Sequence, residues 1–425
     1  MSHVSLSPIA PQHPASVRMA TEMHNDLVER ILPFWTGMRD DEKGGFHGAA
    51  DAAGVIIEGA PRSLVLMSRI LWTYAEAARY LGDPELLDHA DHAAAYLDRH
   101  FVTPDGGACW NVSPDGEVLD SRQLTYGLSF LLYAYATHAI ALRELSADRC
   151  EAIQHAETQA DRVFRFIHTR CWNGDFMAES AAPAVGEEAG FETPFANQKN
   201  GFSMNTHLHV LESVTRYLLM RADPAVEALL LQLVTICRHR IYNAGTRHLD
   251  LYMDPAGRHL TDIASFGHDI EYSWLLIEAI EILAAQSERP DGYAWLLEAA
   301  KKEALDIADF VLRHGRHPSG AVANEGYEDR IVHPETIWWT QAEAIVGFVN
   351  AWQLGGDEAY LDAAVEVWNY VRAQMLDPSG EWLSCGRDMI PPASPTRNAT
   401  LVNPWKCPYH NGRAVIEVGR RLLRK

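Results

Sequence analysis

The sequence predicts an all-α fold: six helical hairpins closed into an (α/α)6 toroid, with a few short β-hairpins in the loops. Three observations carry this. Apolar residues recur at helical spacing in twelve segments, near 19–36, 62–81, 85–101, 121–143, 147–169, 203–222, 224–241, 269–287, 290–314, 338–354, 358–376 and 409–424. These fall into six consecutive pairs. Parts of the chain also repeat: Gly82-Asp-Pro-Glu-Leu-Leu-Asp88 running to Thr103–Trp110 resembles Gly356-Asp-Glu-Ala-Tyr-Leu-Asp362 running to Asp377–Trp382, and Asp223–Val226 running to Asp254–Gly257 is a looser copy. Repeated helical hairpins stack into a solenoid or close into a ring, and six pairs without polar capping repeats suit closure.

Taken in order, residues 1–18 hold several prolines and no apolar h-region, and read as a flexible leader rather than a signal peptide. Residues 19–425 read as one domain, because no Ser/Gly linker, low-complexity run or block of like charge interrupts them. Alternation of strand type is confined to short pieces such as Gly54–Ile57 and His248–Tyr252. The even-numbered helices carry polar and aromatic residues in otherwise apolar runs: Arg69 and Trp72; Tyr126 and Phe130; Asn205, His209 and Glu212; His268, Glu271 and Trp274; Trp338, Trp339, Gln341 and Glu343; His410 and Arg413. The odd helices, such as Leu86–Arg99 and Tyr360–Gln374, read as amphipathic surface helices. Functional candidates on every second helix are what a ring with a central pocket predicts.

Composition narrows the function. A net charge of -21 argues against nucleic-acid and anionic-membrane surfaces. No apolar run reaches membrane-spanning length. Six scattered cysteines without CxxC spacing read as reduced thiols in the cytoplasm. GxGxxG in a strand–turn–helix setting, Gx4GK[ST], GxSxG and HExxH are all absent.

The candidate chemistry lies in five stretches. In Ser265-Phe-Gly-His-Asp-Ile-Glu-Tyr-Ser-Trp274, His268 sits at a helix start, where the helix dipole favours the neutral imidazole, and Glu271 follows on the same face. In Asn403-Pro-Trp-Lys-Cys-Pro-Tyr-His-Asn-Gly-Arg413, prolines fix an extended approach and His410 again opens a helix. Two such histidines facing one pocket can take a proton from one face of a substrate and return one to the other. In Asn205–Glu212, the residues Asn205, His209 and Glu212 form one helical stripe, with His209 free to bond Glu212; helical periodicity disfavours reading His207 and His209 as a metal pair. Arg69 in Ser68–Trp72 is costly in an apolar helix unless it stabilises an oxyanion or pairs with an inner carboxylate such as Glu343 or Glu271. Trp338–Glu343 places aromatic planes beside Gln341 and Glu343, which suits ring faces and hydroxyls, and Trp405 is a further stacking platform or a lid on the last helix.

Together these stretches resemble the N-acylglucosamine 2-epimerase superfamily and, within it, the cellobiose (mannobiose) 2-epimerase branch. The matching motifs are Ser68–Trp72, Met204–Glu212, Ser265–Glu271, Trp338–Glu343 and Trp405–Arg413, in the family's order across residues 20–424. The resemblance implies cofactor-free, metal-free epimerisation at C2 of a reducing aldose, a β-1,4 disaccharide or mannose/glucose, through ring opening and a cis-enediolate. It implies that His209 helps open the ring, that His268 and His410 act on opposite faces of C2, and that Arg69 stabilises the enediolate. Trp339 and Trp405 then hold the sugar, and Glu271, Asn205 and Tyr126 orient it; Glu212, Trp274, Trp338, Gln341 and Glu343 join the binding set. Two departures from the disaccharide enzymes stand out: Leu128 where a polar residue is usual, and a longer segment at Ala181–Asn200. An aldose–ketose isomerase acting on mannose would use the same histidines and differ only in where protonation falls. A glycoside hydrolase would instead draw two carboxylates from Glu343, Glu271, Asp269 and Glu335. The expected partner is a small sugar, with no nucleic acid or membrane, and the expected state is a monomer or weak homodimer.

Overall fold

A computed structural model describes residues 13–181, 201–254, 256–288, 290–389 and 399–423. The segment expected to be longer, 181–200, lies outside these residues apart from Ala181, as does the leader up to residue 12. Residues 14–18 of that leader are helical, because Pro14 opens the first helix at a position where its missing N–H costs nothing.

Among the described residues the chain runs through twelve long helices. The first, α1, is Pro14–Asp26 continued through a π-turn at Leu27–Ile31 into Leu32–Gly37. There follow α2 (Leu64–Leu81), α3 (Leu87–His100), α4 (Thr125–Leu145), α5 (Cys150–Phe166), α6 (Met204–Met220), α7 (Pro224–Ile236), α8 (Phe266–Gln286), α9 (Ala294–His314), α10 (Trp338–Gly355), α11 (Glu358–Gln374) and α12 (Tyr409–Leu422). The repeat seen in the sequence has a local cause. Gly82 and Gly356 end α2 and α10 at φ of 67° and 75°, a left-handed turn that a side chain would strain. The Asp that follows each then turns its carboxylate onto the backbone N–H two residues on, starting the next helical segment.

The even helices form the inner ring. Each packs on the next, α2 on α4, α6, α8 and α10 in turn, and α12 packs back on α2, which closes the barrel. Their surroundings are dry on every side: in α2 all residues but Arg79 and Leu81 are buried. The odd helices wrap the outside and bury one stripe, as in α5, where Ala156, Gln159, Ala160, Val163 and Phe164 face inward.

Short strands gather at one end of the barrel. Arg62–Ser63, Val118–Asp120, Phe202–Ser203, Ala264–Ser265, Arg330–His333 and Thr400–Val402 each lead into an inner helix. The mouth of the barrel is therefore ringed by six inner-helix N-termini and their loops. The two strand-like pieces resolve differently from a pair of simple hairpins. Gly54–Ile57 contributes a single bridge, Ile56 to Ala50. His248–Leu249 pairs with Tyr242–Asn243, whereas Tyr252–Met253 crosses to Phe202–Ser203 at the entrance to α6.

Candidate active site

A cavity of about 690 Å³ opens at this end, walled by inner-helix starts and by the loops between them. Arg69, Tyr126, Asn205, His209, His268, Glu271, Trp338, Trp339, Trp405 and His410 all line it. The helical stripes supply the first six from α2, α4, α6 and α8. His268 is the third residue of α8 and His410 the second of α12, so both project from helix starts, as their spacing predicts. Their rings meet one tryptophan: Trp339 lies 4.6 Å from His268 and 5.9 Å from His410, centroid to centroid. That approach requires Gly267, since a Cβ there would stand 2.4 Å from the Trp339 ring.

Beneath the cavity lies an ionic hub. The Arg413 guanidinium reaches Glu212, Glu271 and, at 2.6 Å, Glu343, and also meets the Tyr409 hydroxyl. All four of these charged side chains are buried. Two of the carboxylates hold histidines: His209 Nδ1 lies 3.0 Å from Glu212, and His410 Nδ1 lies 2.7 Å from Glu343. Burial alone would raise the Glu212 carboxyl, but Arg413 and bonds from His209 and Tyr409 bring it down to about 2, so it is ionised and His209 donates Nδ1–H to it. Burial pushes Glu271 up to about 7, with Glu343 adding to this and Arg413 opposing it. Burial also raises Glu343, again against Arg413. One guanidinium cannot neutralise three carboxylates, so the hub keeps a proton near neutrality. His268 differs: its Nδ1 meets the Ser265 hydroxyl at 2.7 Å. Its ring is deep in the barrel yet half-open to the cavity, and burial, with nearby His209, pushes it down to about 3. Burial likewise holds His410 well below its ordinary value, helped by Arg69, Arg413, His209 and His268. The helix starts place these histidines, but burial and neighbouring positive groups keep them neutral.

Arg69 forms no ion pair among the described residues. It is held by the Tyr126 hydroxyl at 2.9 Å and the Trp405 carbonyl at 3.4 Å, and it packs 4.1 Å over the Phe130 ring. A buried guanidinium held by rings and neutral oxygens keeps its charge for an anion in the cavity. Asn205 contributes a buried carbonyl oxygen without a partner among the described residues, so a sugar hydroxyl is a fitting donor.

The family model described as N-acylglucosamine 2-epimerase (GlcNAc 2-epimerase) matches residues 44–388. The chain belongs to this family. It is similar to a cellobiose 2-epimerase of Ruminococcus albus, 32% identical over 94% of this chain and 98% of the relative. A solved structure titled as a sugar epimerase from a ruminal bacterium is 31% identical and superposes with a TM-score of 0.84, covering 96% of this chain and 100% of the other. A D-mannose isomerase of Marinomonas mediterranea is 22% identical over 84% of this chain and 86% of the relative.

Within this family member the expected binding residues divide into two groups. Four of them do not reach the cavity wall. Gln341 spends its amide on the backbone of Val322 (2.8 and 2.7 Å) and Ile337, pinning the loop after α9. Trp274 is buried against Arg413 and donates to Glu343 at 3.2 Å. Glu212 and Glu343 stand behind His209 and His410 as their supports. The ion pair contemplated for Arg69 with Glu343 or Glu271 belongs to Arg413 instead. Leu128 is buried and does not line the cavity, so the departure there lies off the cavity wall. His207 is locked away from the site, its ring bridging the Met177 N–H and the Ser203 carbonyl.

Asn324, Glu325, His333, Glu335, Ser384 and Asn403 also line the cavity, from a short hairpin and loops that carry no periodic signal. Glu271, Glu343 and His410 offer ligand atoms within 4.8 Å of one another, the spacing of a cation site. The Arg413 guanidinium is bonded to both carboxylates and already supplies the positive charge there. Of the carboxylates considered for hydrolysis, Asp269 is buried and accepts from the Leu249 N–H at 2.7 Å, and Glu271 and Glu343 are bound to Arg413. With three of the four held by protein donors in this way, the set does not offer the two unengaged carboxylates that a hydrolytic pair needs.

Proposed function

We propose that the chain is a cofactor-independent carbohydrate 2-epimerase that inverts C2 of a reducing aldose, with a cellobiose-type β-1,4 disaccharide as its substrate class. The observation that carries this is the pair His268 and His410, both neutral, both at inner-helix starts and both against the Trp339 ring. The proton at C2 beside an aldehyde is weakly acidic, so its removal needs a base and a stabilised enediolate. His209, oriented by Glu212, assists ring opening. One of His268 and His410 takes the C2 proton, leaving the electron pair in the enediolate, whose negative oxygen faces Arg69. Rotation about C2–C3 presents the other face. The second histidine, charged for this step by a proton taken from solvent, delivers that proton to C2 and restores the aldehyde with inverted configuration, and the first histidine releases its proton to solvent. Trp339 and Trp405 hold the ring faces, with Tyr126, Asn205 and Glu271 at its polar groups.

Two facts favour a disaccharide. Relatives above 30% identity include cellobiose 2-epimerases, and the cavity wall also carries Asn324, Glu325, His333 and Glu335, polar groups for a second ring. Free thiols at all six cysteines suit a reducing compartment, the cytoplasm. No helix among the described residues is long and apolar enough to cross a membrane.

The test is incubation with cellobiose, mannobiose, mannose and glucose in deuterated water, followed by NMR of the products. Deuterium at C2 with the epimeric aldose is expected, fastest for the disaccharides. Ketose as the main product from mannose would move the chain to aldose–ketose isomerisation, and no C2 deuterium in any sugar would end the proposal.

A further inference from the structure

We propose that Arg413 is a positioning residue that sets two cavity histidines at once, by clamping the carboxylates to which His209 and His410 are bonded. The path is continuous. His209 is bonded to Glu212, Glu212 to one arm of the guanidinium, the other arm to Glu343, and Glu343 to His410. Glu343 Oε1 accepts from both Arg413 and His410, so a shift of the guanidinium moves the acceptor that aims the imidazole. Each carboxylate, as acceptor, fixes the proton of its histidine on Nδ1 and leaves Nε2 for the cavity. Arg413 does not itself line the cavity, and its guanidinium is wedged between the rings of Tyr409, at 4.4 Å, and Trp274, at 4.9 Å. A planar fork carrying two separate bonding arms is what this task needs, and lysine, with a single nitrogen, cannot hold Glu212 and Glu343 apart.

The titratable and charged groups facing Glu212 and Glu343 are Arg413, Tyr409 and His410 from α12, Glu271 and Glu278 from α8, His209 from α6 and Tyr133 from α4, with Tyr126 beside Glu271 and Arg69 beside His410. Removing Arg413 deletes the positive charge nearest Glu212 and Glu343. Both carboxyls then hold their protons to higher pH and stop accepting from the histidines. His268, bonded to Ser265, stands outside this chain of contacts.

Two measurements test the idea, and only the second rests on the 2-epimerase reading. The first is nitrogen-15 NMR of the histidine rings in the unmodified protein, which needs no sugar, with signals assigned by His209→Gln and His410→Gln. Nδ1–H tautomers are expected for both residues. In folded Arg413→Met both should lose that preference together, while His268 keeps its own state. An Nε2–H tautomer at either residue of the unmodified protein, or an unchanged tautomer at either residue in folded Arg413→Met, would overturn the proposal. The second is kinetics of Arg413→Lys and Arg413→Met on whichever sugar exchanges deuterium. We expect kcat to fall about a hundredfold, the effect of a misaimed catalytic group. KM should change little, and the acid limb of the pH profile should move to higher pH. A folded Arg413→Met protein with its acid limb unmoved, or an Arg413→Lys protein with kcat near the original, would refute the role. Absence of C2 exchange in the unmodified protein would refute the function and leave the NMR result standing.

Discussion

His268 and His410 occupy matching places on α8 and α12, yet their supports are opposite in kind. His410 is bonded to a carboxylate from another helix, and through it to the buried hub. His268 is bonded to the hydroxyl of Ser265, the residue at the N-cap of its own helix. A carboxylate accepts, so Glu343 keeps the His410 proton on Nδ1 and stabilises the imidazolium when one forms. A hydroxyl donates or accepts with equal ease. Ser265 thus suits a ring that serves as acid in one direction of a reversible reaction and as base in the other. The fold supplies the same position twice, and the partners divide the work.

The largest expected effect is also the plainest way to break that division. His268→Ala and His410→Ala should each lower C2 deuterium exchange by a factor on the order of a thousand or more, with helical circular dichroism unchanged. If either variant kept exchange near the original rate, the two histidines would not form a pair and the comparison would lose its meaning.

Both histidines were legible in the sequence, because a helix start can be recognised from a strand, a turn and the onset of periodicity. The twelve helices and their alternation were legible for the same reason: inner helices show polar residues stranded in apolar runs, and outer ones show a clean stripe. The division of labour among those polar residues was not. An inner helix is buried all round, so nothing in its own sequence says whether Glu271 faces the cavity and Glu343 backs a histidine, or the reverse. Trp274 and Gln341 were misplaced on this account, since each is satisfied by partners from distant segments. Arg413 was recognised as an inner residue, but its three carboxylates come from three other helices. The rim residues Asn324, Glu325 and His333 lie in and beside a hairpin, where there is no period to read.

The hub gives a second, intermediate test. Glu271 stands on the helix of His268 but is bonded into the network that supports His410. Its carboxyl ordinarily titrates at 4.5 and in the fold at about 7. The unfolded chain therefore releases this proton first as pH rises. The stability from the protonated form is complete below 4.5 and is lost as pH climbs to about 7. Glu271→Gln keeps the shape without the titration. Across this window its melting temperature should fall less with pH than that of the unmodified protein, the difference corresponding to a few kcal/mol, on the order set by linkage. Parallel melting curves would mean that Glu271 does not hold the hub's proton, and that the two histidines are less unequal than their partners suggest.

The smallest effect sharpens the comparison most, because three serines serve as controls for one another. Ser63 and Ser203 precede α2 and α6, and each hydroxyl accepts from the backbone N–H three residues on, at Leu66 and Thr206. Ser265 precedes α8 in the same way, but its hydroxyl is turned to His268, which occupies that third position, and it makes no capping bond. Loss of a working serine cap costs about 1 kcal/mol. Ser63→Ala and Ser203→Ala should therefore lower the melting temperature by the amount that energy implies. Ser265→Ala should lower it less and reduce C2 exchange by about tenfold, less than the roughly hundredfold or more of a group that transfers the proton itself, since Ser265 acts through His268. If Ser265→Ala instead behaved like the other two, losing stability with exchange intact, Ser265 would be an ordinary cap and His268 would owe its state to burial alone.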